Sequence, residues 1–335
     1  MFRKKVAVLL AVLLVCMLGM TACKKNVGTP EDNAKTEDTD EDGNEEEQEK
    51  YVIGFSGIDM ENPYFITLES ATREAVEAED SKLITKNPGS DPKKQASQIE
   101  EMIKEGIDAI VLSPVDWEKI TPSLKKLKEA GVKIINVDTQ VKEMSYVDAY
   151  VGSDNKNAGY ICGEDLIEKC PNGGTVAILE CPTQNSMNDR ITGFEEAISK
   201  AEKGFEVVER ADTNGEFNKA LKEIEAILKK HPKLTAIMCG NDQVAVAAKT
   251  AVNVAGNDKV IIYGVDGSPD IKKELKKREN QIAGTAAQSP INMGKQAGKT
   301  AVDILDGKDY EKEVYEDVFM INKDNVDMYG TDGWQ

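Results

Sequence analysis

The chain has 335 residues, of which 40% are hydrophobic and 30% are charged, and its formal net charge is -18. At ~100–200 residues per domain, this length and composition predict about two domains of a soluble globular protein. So acidic a surface repels nucleic acid and anionic lipid, which leaves neutral or cationic small molecules as candidate ligands.

Residues 1–22 predict a signal peptide. The basic segment MFRKK precedes the apolar run VAVLLAVLLVCML, which is short for a membrane span, and small residues lead to Cys23. The sequence Thr21-Ala22-Cys23 resembles a bacterial lipobox, where cleavage leaves a lipid-carrying cysteine, although Met20 stands where leucine is usual. A plain secretory signal and an uncleaved anchor are the alternatives. All three place the protein outside the cytoplasm.

Residues 23–50 predict a lipidated cysteine followed by an acidic, disordered tether. The segment after Cys23, KKNVGTPEDNAKTEDTDEDGNEEEQEK, has almost no apolar side chains and therefore cannot bury a core. We expect this tether to hold a folded domain away from the cell membrane, to which lipid at Cys23 anchors it.

From Tyr51 onwards, short apolar runs alternate with longer amphipathic segments. Helices such as PKKQASQIEEMIKEG, with apolar residues at helical spacing, separate most of the runs. The predicted strands are YVIGFSG, SKLIT, IDAIVLSP, VKIINVD, AYVGSD, TVAILE, FEVVERAD, LTAIMCGND, KVIIYGVDG and QIAGTAAQS. Such alternation predicts βαβ units and parallel sheets that are covered on both faces.

Ten strands are too many for one doubly wound sheet of ordinary size, and the plan repeats after Ser153-Asp154. We therefore expect an α/β fold of two similar lobes, each a doubly wound parallel sheet. Ligands of such sheets bind beyond the carboxyl ends of the strands. The polar residues predicted at those ends, and hence at a cleft between the lobes, are Ser56, Ser113, Asp138, Asn241, Asp242, Asp266 and Gln288.

The sequence does not favour an enzyme. Its one histidine, His231 in KKHPK, lies between lysines beside a proline, which predicts a surface loop and not a catalytic base. Neither a P-loop nor a GxGxxG motif occurs, so no nucleotide cofactor is expected.

The cysteines favour neither a metal site nor a disulfide framework. No CxxC pair occurs, so no metal is expected. Outside the signal peptide and Cys23, the sequence favours free thiols at every position and leaves open one disulfide, Cys181 with Cys239. The cysteines in question are Cys162, Cys170, Cys181 and Cys239.

The strand-end residues suit a ligand rich in hydroxyl groups. A carboxylate accepts strong, charge-assisted hydrogen bonds from hydroxyls, and an amide can donate or accept. Asn62-Pro63 predicts the N-cap and first position of the first helix, which places Tyr64 and Phe65 above the end of the first strand. These rings could cover the C–H face of a sugar, or they could be ordinary core of that helix.

Seven motifs, in this order, resemble those of the periplasmic sugar-binding proteins of the ribose/galactose type, the receptors of bacterial ABC importers. The motifs are FSGIDMENPYF, INVDTQ, VGSDN, NDRITGF, CGNDQVAVAA, IYGVDGSPD and AAQSPINMG. The resemblance spans roughly residues 51–325. It implies a type I periplasmic binding protein-like fold with a three-crossover hinge near Ser153, Ala287 and Asp317. The implied lobes are residues 51–153 plus 288–317 and residues 154–287 plus 318–325.

The resemblance also implies ligand-binding roles for single residues. Tyr64 and Phe65 would stack on the sugar ring, and Arg190 would lie over ligand oxygens. The remaining polar contacts would come from Asn62, Asp138, Asn241, Asp266 and Gln288.

Two features depart from a ribose site. Thr139 follows Asp138 where ribose-type receptors have arginine, so a single hydroxyl replaces a planar group with five donors. The segment ADTNGEFNKA places Asn214 or Gly215, and no aromatic residue, near the cleft. These two departures predict a pocket that is roomier or less cationic than a ribose site. Trp117 could reach the rim of the cleft, but the sequence favours a packing role for it.

The resemblance implies a lipid-anchored binding protein that captures a monosaccharide or similar polyol and delivers it to the permease of an ABC importer. It is expected to act as a monomer, without a cofactor. One alternative is a signalling receptor of the same fold that presents a sugar-like signal to a membrane kinase or chemoreceptor. Another is an enzyme that acts on such sugars. A transcription regulator would need a DNA-binding headpiece where this chain has an export signal and a tether.

Overall fold

A computed structural model describes residues 49–335. The predicted signal peptide, the predicted lipid site at Cys23 and the tether as far as residue 48 lie outside the described residues. Lys50 already belongs to the folded part. Its backbone N donates to the carbonyl O of Asp80 at 2.7 Å, and its Nζ donates to Asp306 at 3.0 Å.

Strands and helices alternate along the described residues. The strands are β1 (Val52–Ser56), β2 (Lys82–Lys86), β3 (Ala109–Leu112), β4 (Lys133–Val137), β5 (Ala149–Ser153), β6 (Gly174–Glu180), β7 (Phe205–Asp212), β8 (Ala236–Cys239), β9 (Ile261–Asp266), β10 (Ile282–Ala287), β11 (Glu313–Glu316) and β12 (Phe319–Asn322). The helices are α1 (Pro63–Glu77), α2 (Pro92–Glu105), α3 (Thr121–Glu129), α4 (Asn155–Lys169), α5 (Asn185–Ile198), α6 (Phe217–Lys230), α7 (Asp242–Ala255), α8 (Pro269–Leu275), α9 (Pro290–Leu305) and α10 (Val326–Tyr329).

The strands form two six-stranded sheets, and each sheet with its helices forms one lobe. Lobe 1 has the order β11-β5-β4-β3-β1-β2, and lobe 2 has the order β12-β10-β9-β8-β6-β7. All neighbouring strands are parallel except β12, which runs antiparallel to β10. The predicted α/β fold with two parallel-sheet lobes is confirmed. The ten predicted strands correspond to β1–β10, whereas β11 and β12 were not predicted.

The chain passes between the lobes three times: after β5, after β10 and after β11. The central strands are buried along their whole length, as in β3 and β8, because helices cover both faces of each sheet. The carboxyl ends of the parallel strands in both lobes carry the polar side chains described below.

The helix that carries Arg190 is fixed by a close contact between α4 and α5. A Cβ atom at Gly159 would lie 1.7 Å from the carbonyl O of Arg190, and one at Gly193 would lie 1.8 Å from that of Lys156. Only glycine allows this approach of the two backbones. The position of Arg190 in lobe 2 therefore depends on small residues elsewhere in α4 and α5.

In the described part of the chain, the cysteines and the histidine form neither a disulfide nor a metal site. Cys162, Cys170, Cys181 and Cys239 are free thiols. His231 follows the end of α6, with its Nε2 3.3 Å from a carboxylate oxygen of Glu209. Within residues 49–335, no group of His, Cys, Asp and Glu side chains could hold a metal ion. No helix in the same range is long and apolar enough to cross a membrane.

Candidate functional site

A cavity of about 520 Å³, counted with its space open to solvent, lies between the two lobes. Its walls are formed where strands end and helices begin. Lobe 1 contributes Ile58, Asp59, Asn62, Tyr64, Phe65, Ser90 and Asp138, and lobe 2 contributes Gln184, Ser186, Met187, Arg190, Asn214, Gly215, Glu216, Asn241, Gln243 and Asp266. Seven of the nine predicted ligand-binding residues are in this lining.

The other two predicted residues, Thr139 and Gln288, lie behind the lining and contact its carboxylates. The Thr139 hydroxyl donates to Asp138 Oδ2 at 3.3 Å and shares a 2.6 Å hydrogen bond with the Ser186 hydroxyl of lobe 2. Gln288 Nε2 donates to Asp266 Oδ1 at 2.8 Å. Both side chains are almost completely buried, so they orient residues of the cavity wall and do not form the wall themselves.

Strained backbone is concentrated at the cavity. Five described non-glycine residues have a positive φ, and four of them line it: Ser90, Asp138, Asn214 and Asp266. The φ of Asp138 is 63°, which an aspartate tolerates, whereas the 137° of Asp266 lies in a region that favours glycine. Such conformations persist only where the surrounding contacts hold them, and they are typical of functional sites.

Asp138 supplies the carboxylate of lobe 1 directly after β4. Its Oδ1 accepts a hydrogen bond from the Tyr64 hydroxyl at 3.2 Å, and its Oδ2 accepts one from the Ser113 hydroxyl at 3.3 Å. The Tyr150 hydroxyl donates to its backbone carbonyl at 2.7 Å. Burial raises the pKa of Asp138, although Arg190 and the hydroxyls of Tyr64, Ser113 and Thr139 oppose the rise. The carboxylate is therefore preorganised and faces the cavity.

Asn62, Tyr64 and Phe65, at the start of α1, form another part of the cavity wall of lobe 1. Asn62 Oδ1 accepts from the backbone N of Tyr64 at 3.0 Å, so it caps α1, and Pro63 takes the first helical position. This cap leaves the amide Nδ2 as a donor. Tyr64 and Phe65 meet edge to face, with ring centroids 5.3 Å apart. Both rings belong to the core of lobe 1 and also line the cavity, so the two interpretations of the sequence are compatible.

Arg190 is the cation of the cavity. Its Nε donates to Asn155 Oδ1 and its Nη1 to the carbonyl O of Gly240, both at 2.8 Å. Nη1 also lies 3.6 Å from Asp266 Oδ1. Among the described residues, no protein acceptor bonds to Nη2, which leaves this end of the guanidinium for a ligand oxygen.

Asp266 supplies the carboxylate of lobe 2 at the end of β9. Burial raises its pKa to about 8, and repulsion from Asp242 and Asp138 adds to the effect, although Arg190 opposes it. The neighbouring Asp242 has a pKa raised to about 6 by burial, and it accepts hydrogen bonds from Ser268 N and the Thr285 hydroxyl. The single positive charge of Arg190 therefore does not balance the negative charges of the buried acids Asp138, Asp242 and Asp266.

This excess of acid predicts a pH dependence of stability without ligand. Between pH 6 and 8 the folded protein holds a proton on Asp266 that the unfolded chain has already released, so the free energy of unfolding falls as pH rises. At ~1.4 kcal/mol per pKa unit, the loss is about 2 kcal/mol across this window. Denaturant unfolding of the wild type and of Asp266→Asn measures it. The variant should show a flatter pH profile, and parallel profiles would contradict the assignment.

Asn241 and the loop beside it complete lobe 2. Asn241 Oδ1 accepts from Val244 N at 2.9 Å and so caps α7, and its Nδ2 donates to the carbonyl O of Gly215 at 3.2 Å. Asn214 and Gly215 line the cavity, and Phe217 begins α6. Trp117 does not line the cavity: its ring faces Lys142 Nζ, 5.9 Å from the ring centroid. Its backbone N donates to the carbonyl O of Thr183 in lobe 2 at 3.0 Å.

Several lining residues were not predicted. Ser186 lies four positions before Arg190 on α5, on the same helix face, and this spacing was a signal that could have identified it. Ser90 follows Gly89 in a turn where both have positive φ, which a Pro-Gly-Ser sequence suggests. The other unpredicted polar residues of the lining are Asp59, Gln184, Glu216 and Gln243.

Two α/β lobes with three crossovers and a polar cavity between them are the features of a two-lobed binding protein. The chain belongs to the family described as periplasmic binding protein domain, whose profile matches residues 53–309. It is thus an extracytoplasmic binding protein. Members of this family bind solutes and are not enzymes, which confirms that prediction.

The curated relatives include the ribose import binding protein of Bacillus subtilis, 30% identical over 268 residues, which cover 80% of this chain and 86% of that protein. The D-ribose/D-allose-binding protein of Pseudomonas aeruginosa is 30% identical over 279 residues, with the same coverage. Among solved structures, a solute-binding protein of Actinobacillus succinogenes with bound D-allose is 28% identical. Its TM-score is 0.76, and the match covers 84% of this chain and 100% of that one.

Proposed function

We propose that this chain is the solute-binding component of an ABC importer and captures a monosaccharide or a similar polyol between its lobes. The observation that carries the proposal is the pair of buried carboxylates, Asp138 from lobe 1 and Asp266 from lobe 2, which face one cavity with Arg190. The relatives named for ribose and allose support this class of ligand.

The cavity suits a neutral ligand with several hydroxyl groups. Asp138 and Asp266 would accept from ligand hydroxyls, and Arg190 Nη2 and Asn62 Nδ2 would donate to them. Gln288 would support Asp266 from behind the lining, through the hydrogen bond from its Nε2 to Asp266 Oδ1. Tyr64 and Phe65 would cover the C–H face of the ring. These roles, with Asn241 as a further polar contact and Thr139 in support of Asp138, make up the proposed site.

Thr139 argues against assigning ribose itself. Its hydroxyl is bonded to Asp138 and to Ser186, so it supports the carboxylate and adds no donor fork of the kind that arginine would bring. The proposal therefore names a class of ligand, monosaccharides and polyols, and not one sugar.

Capture is proposed to occur by hinge closure. Residues 51–153 with 288–317 and residues 154–287 with 318–325 would move as two rigid lobes about the three crossovers. Hydrogen bonds such as Thr139–Ser186 and Trp117–Thr183 join the lobes in this structure. A ligand that contacts both carboxylates would favour the closed state, because only that state brings the two together.

The proposal includes attachment to the cell membrane. After removal of residues 1–22, lipid on Cys23 and the acidic segment 23–50 would hold a monomeric receptor beside the permease. The lipobox-like sequence before Cys23 and the composition of the tether support this step. Detergent-phase partitioning of the exported chain tests the anchor, which Cys23→Ser should abolish. Equal partitioning of both forms would contradict it.

A ligand panel tests the proposed function. Thermal unfolding of residues 49–335 should be measured with D-ribose, D-allose, D-galactose, myo-inositol and glycerol, each against an amino-acid mixture as control. A ligand at a hundred times its Kd should add about 2.7 kcal/mol to the free energy of unfolding and so raise Tm. At least one sugar or polyol should act and the control should not. A panel without any shift, or a shift with amino acids alone, would overturn the proposal.

A further inference from the structure

Residues 331–335 contact both lobes, and Trp334 lines a groove that adjoins the cavity. The Trp334 ring meets Tyr64 edge to face, with centroids 5.8 Å apart and an interplanar angle of 75°, and it packs against the core of lobe 1. The next residue, Gln335, bonds to lobe 2. We call this segment the strap.

The strap is held on lobe 2 by directed hydrogen bonds. Gln335 Nε2 lies 3.0 Å from the carbonyl O of Gly267, 3.2 Å from that of Gln288 and 3.4 Å from that of Asp266. Lys272, which is completely buried in α8, donates through Nζ to the carbonyl O of Gly333 at 2.6 Å and to Gln335 Oε1 at 2.9 Å. A buried ammonium needs such acceptors, so the strap and Lys272 stabilise each other.

These contacts reach the two carboxylates of the cavity from behind. Trp334 packs on Tyr64, whose hydroxyl donates to Asp138. Gln335 bonds to the carbonyl groups at Asp266, where φ is 137° and the backbone needs external support. Trp334 itself does not line the cavity but an adjoining groove. The strap thus connects the carboxylate-bearing parts of lobe 1 and lobe 2 without contact to the cavity.

We propose that Trp334 and Gln335 are positioning residues for the ligand of the cleft. They hold Tyr64 against Asp138, support the strained turn at Asp266 and join the lobes in the closed state, so they slow ligand release. The proposal rests on the proposed function for the class of ligand, and on the strap contacts for everything else.

Titration calorimetry and ligand dissociation rates with D-allose and D-ribose test it on the full chain. An edge-to-face aromatic pair contributes about 0.5–1.5 kcal/mol. Trp334→Ala should therefore weaken binding about twofold to tenfold, mainly through faster dissociation. Trp334→Phe should restore most of the affinity, and Gln335→Ala should weaken binding in the same direction. Tyr329→Ala is the matched control, because Tyr329 stacks on Phe319 within lobe 2 and does not line the cavity.

Hydrogen exchange without ligand gives a second readout. Trp334→Ala and Gln335→Ala should each speed exchange in peptides around residues 62–66 and 264–268, whereas Tyr329→Ala should not. Unchanged exchange in both strap variants, or wild-type affinity and dissociation rate in Trp334→Ala, would overturn the role of the strap. Binding of neither sugar, together with no response to the ligand panel, would count against the proposed function and leave the exchange result to decide the strap.

Discussion

Replacing Arg190 with methionine should abolish sugar binding and lower the free energy of unfolding by about 3–5 kcal/mol, the usual cost of removing one partner from a buried ion pair. Arg190 is the cation that faces Asp138 and Asp266, and it also bonds to Asn155 and Gly240. Its loss removes a donor for ligand oxygens and leaves buried acids without compensation.

The destabilisation by Arg190→Met should grow as pH rises. At low pH the uncompensated acids take up protons and become neutral, which limits the cost, whereas at high pH they must stay charged or unfold the protein. Denaturant unfolding at pH 6 and pH 9, with sugar titrations at each, measures both effects.

Arg210→Met is the matched control. Arg210 lies on β7 of the same lobe and pairs with Glu180 and Glu195 at a partly exposed surface. Exposed ion pairs contribute about 0–1 kcal/mol, so this variant should bind sugar normally and unfold almost as the wild type does. If Arg190→Met retained the sugar response, Arg190 would be a structural residue of lobe 2 and not a ligand contact.

The features that sequence predicts well here are those set by local chemistry. Parallel strands that are buried on both faces appear in the sequence as continuous apolar runs, so the acid that ends each run marks the end of a strand. This pattern placed Asp138 and Asp266 correctly at strand ends. Asn62-Pro63 placed the cap of α1, since a side-chain acceptor before proline suits a helix start. The cap also decides which end of the Asn62 amide is free to donate.

The features that the sequence does not predict depend on contacts between residues that are distant in the chain. β11 and β12 have four residues each and are only partly buried, so their pattern is too short to identify a strand. That Thr139 and Gln288 stand behind the cavity lining depends on their hydrogen bonds to Ser186 and Asp266, which are distant in sequence. The strap has no periodicity, and only its contact with Tyr64 and Lys272 gives Trp334 a role.

Replacing Asp138 with asparagine should weaken sugar binding about 100-fold or more while leaving the unliganded protein about as stable as the wild type. A hydrogen bond to a charged group contributes about 1.5–3 kcal/mol, and one carboxylate can accept from two ligand hydroxyls. Asparagine is preferable to alanine here because it tolerates the φ of 63° at this position, so the backbone after β4 is retained. It also removes a buried charge whose pKa burial has raised, which offsets the loss of one acceptor oxygen for the Tyr64 or the Ser113 hydroxyl.

The opposite end of the same strand offers a matched control. Asp148 Oδ2 accepts from the backbone N of Ile134 near the start of β4 at 2.9 Å, and its Oδ1 accepts from Lys128 Nζ. Asp148→Asn makes the same chemical change in lobe 1 but does not touch the cavity, so sugar affinity should be unchanged. Calorimetry with a sugar that stabilises the wild type compares the two variants. Equal affinities for Asp138→Asn and wild type would remove Asp138 from the site, and a loss in both variants would point to a general disturbance of lobe 1. Loss in Asp138→Asn alone would identify the carboxylate at the end of β4 as the ligand contact of lobe 1.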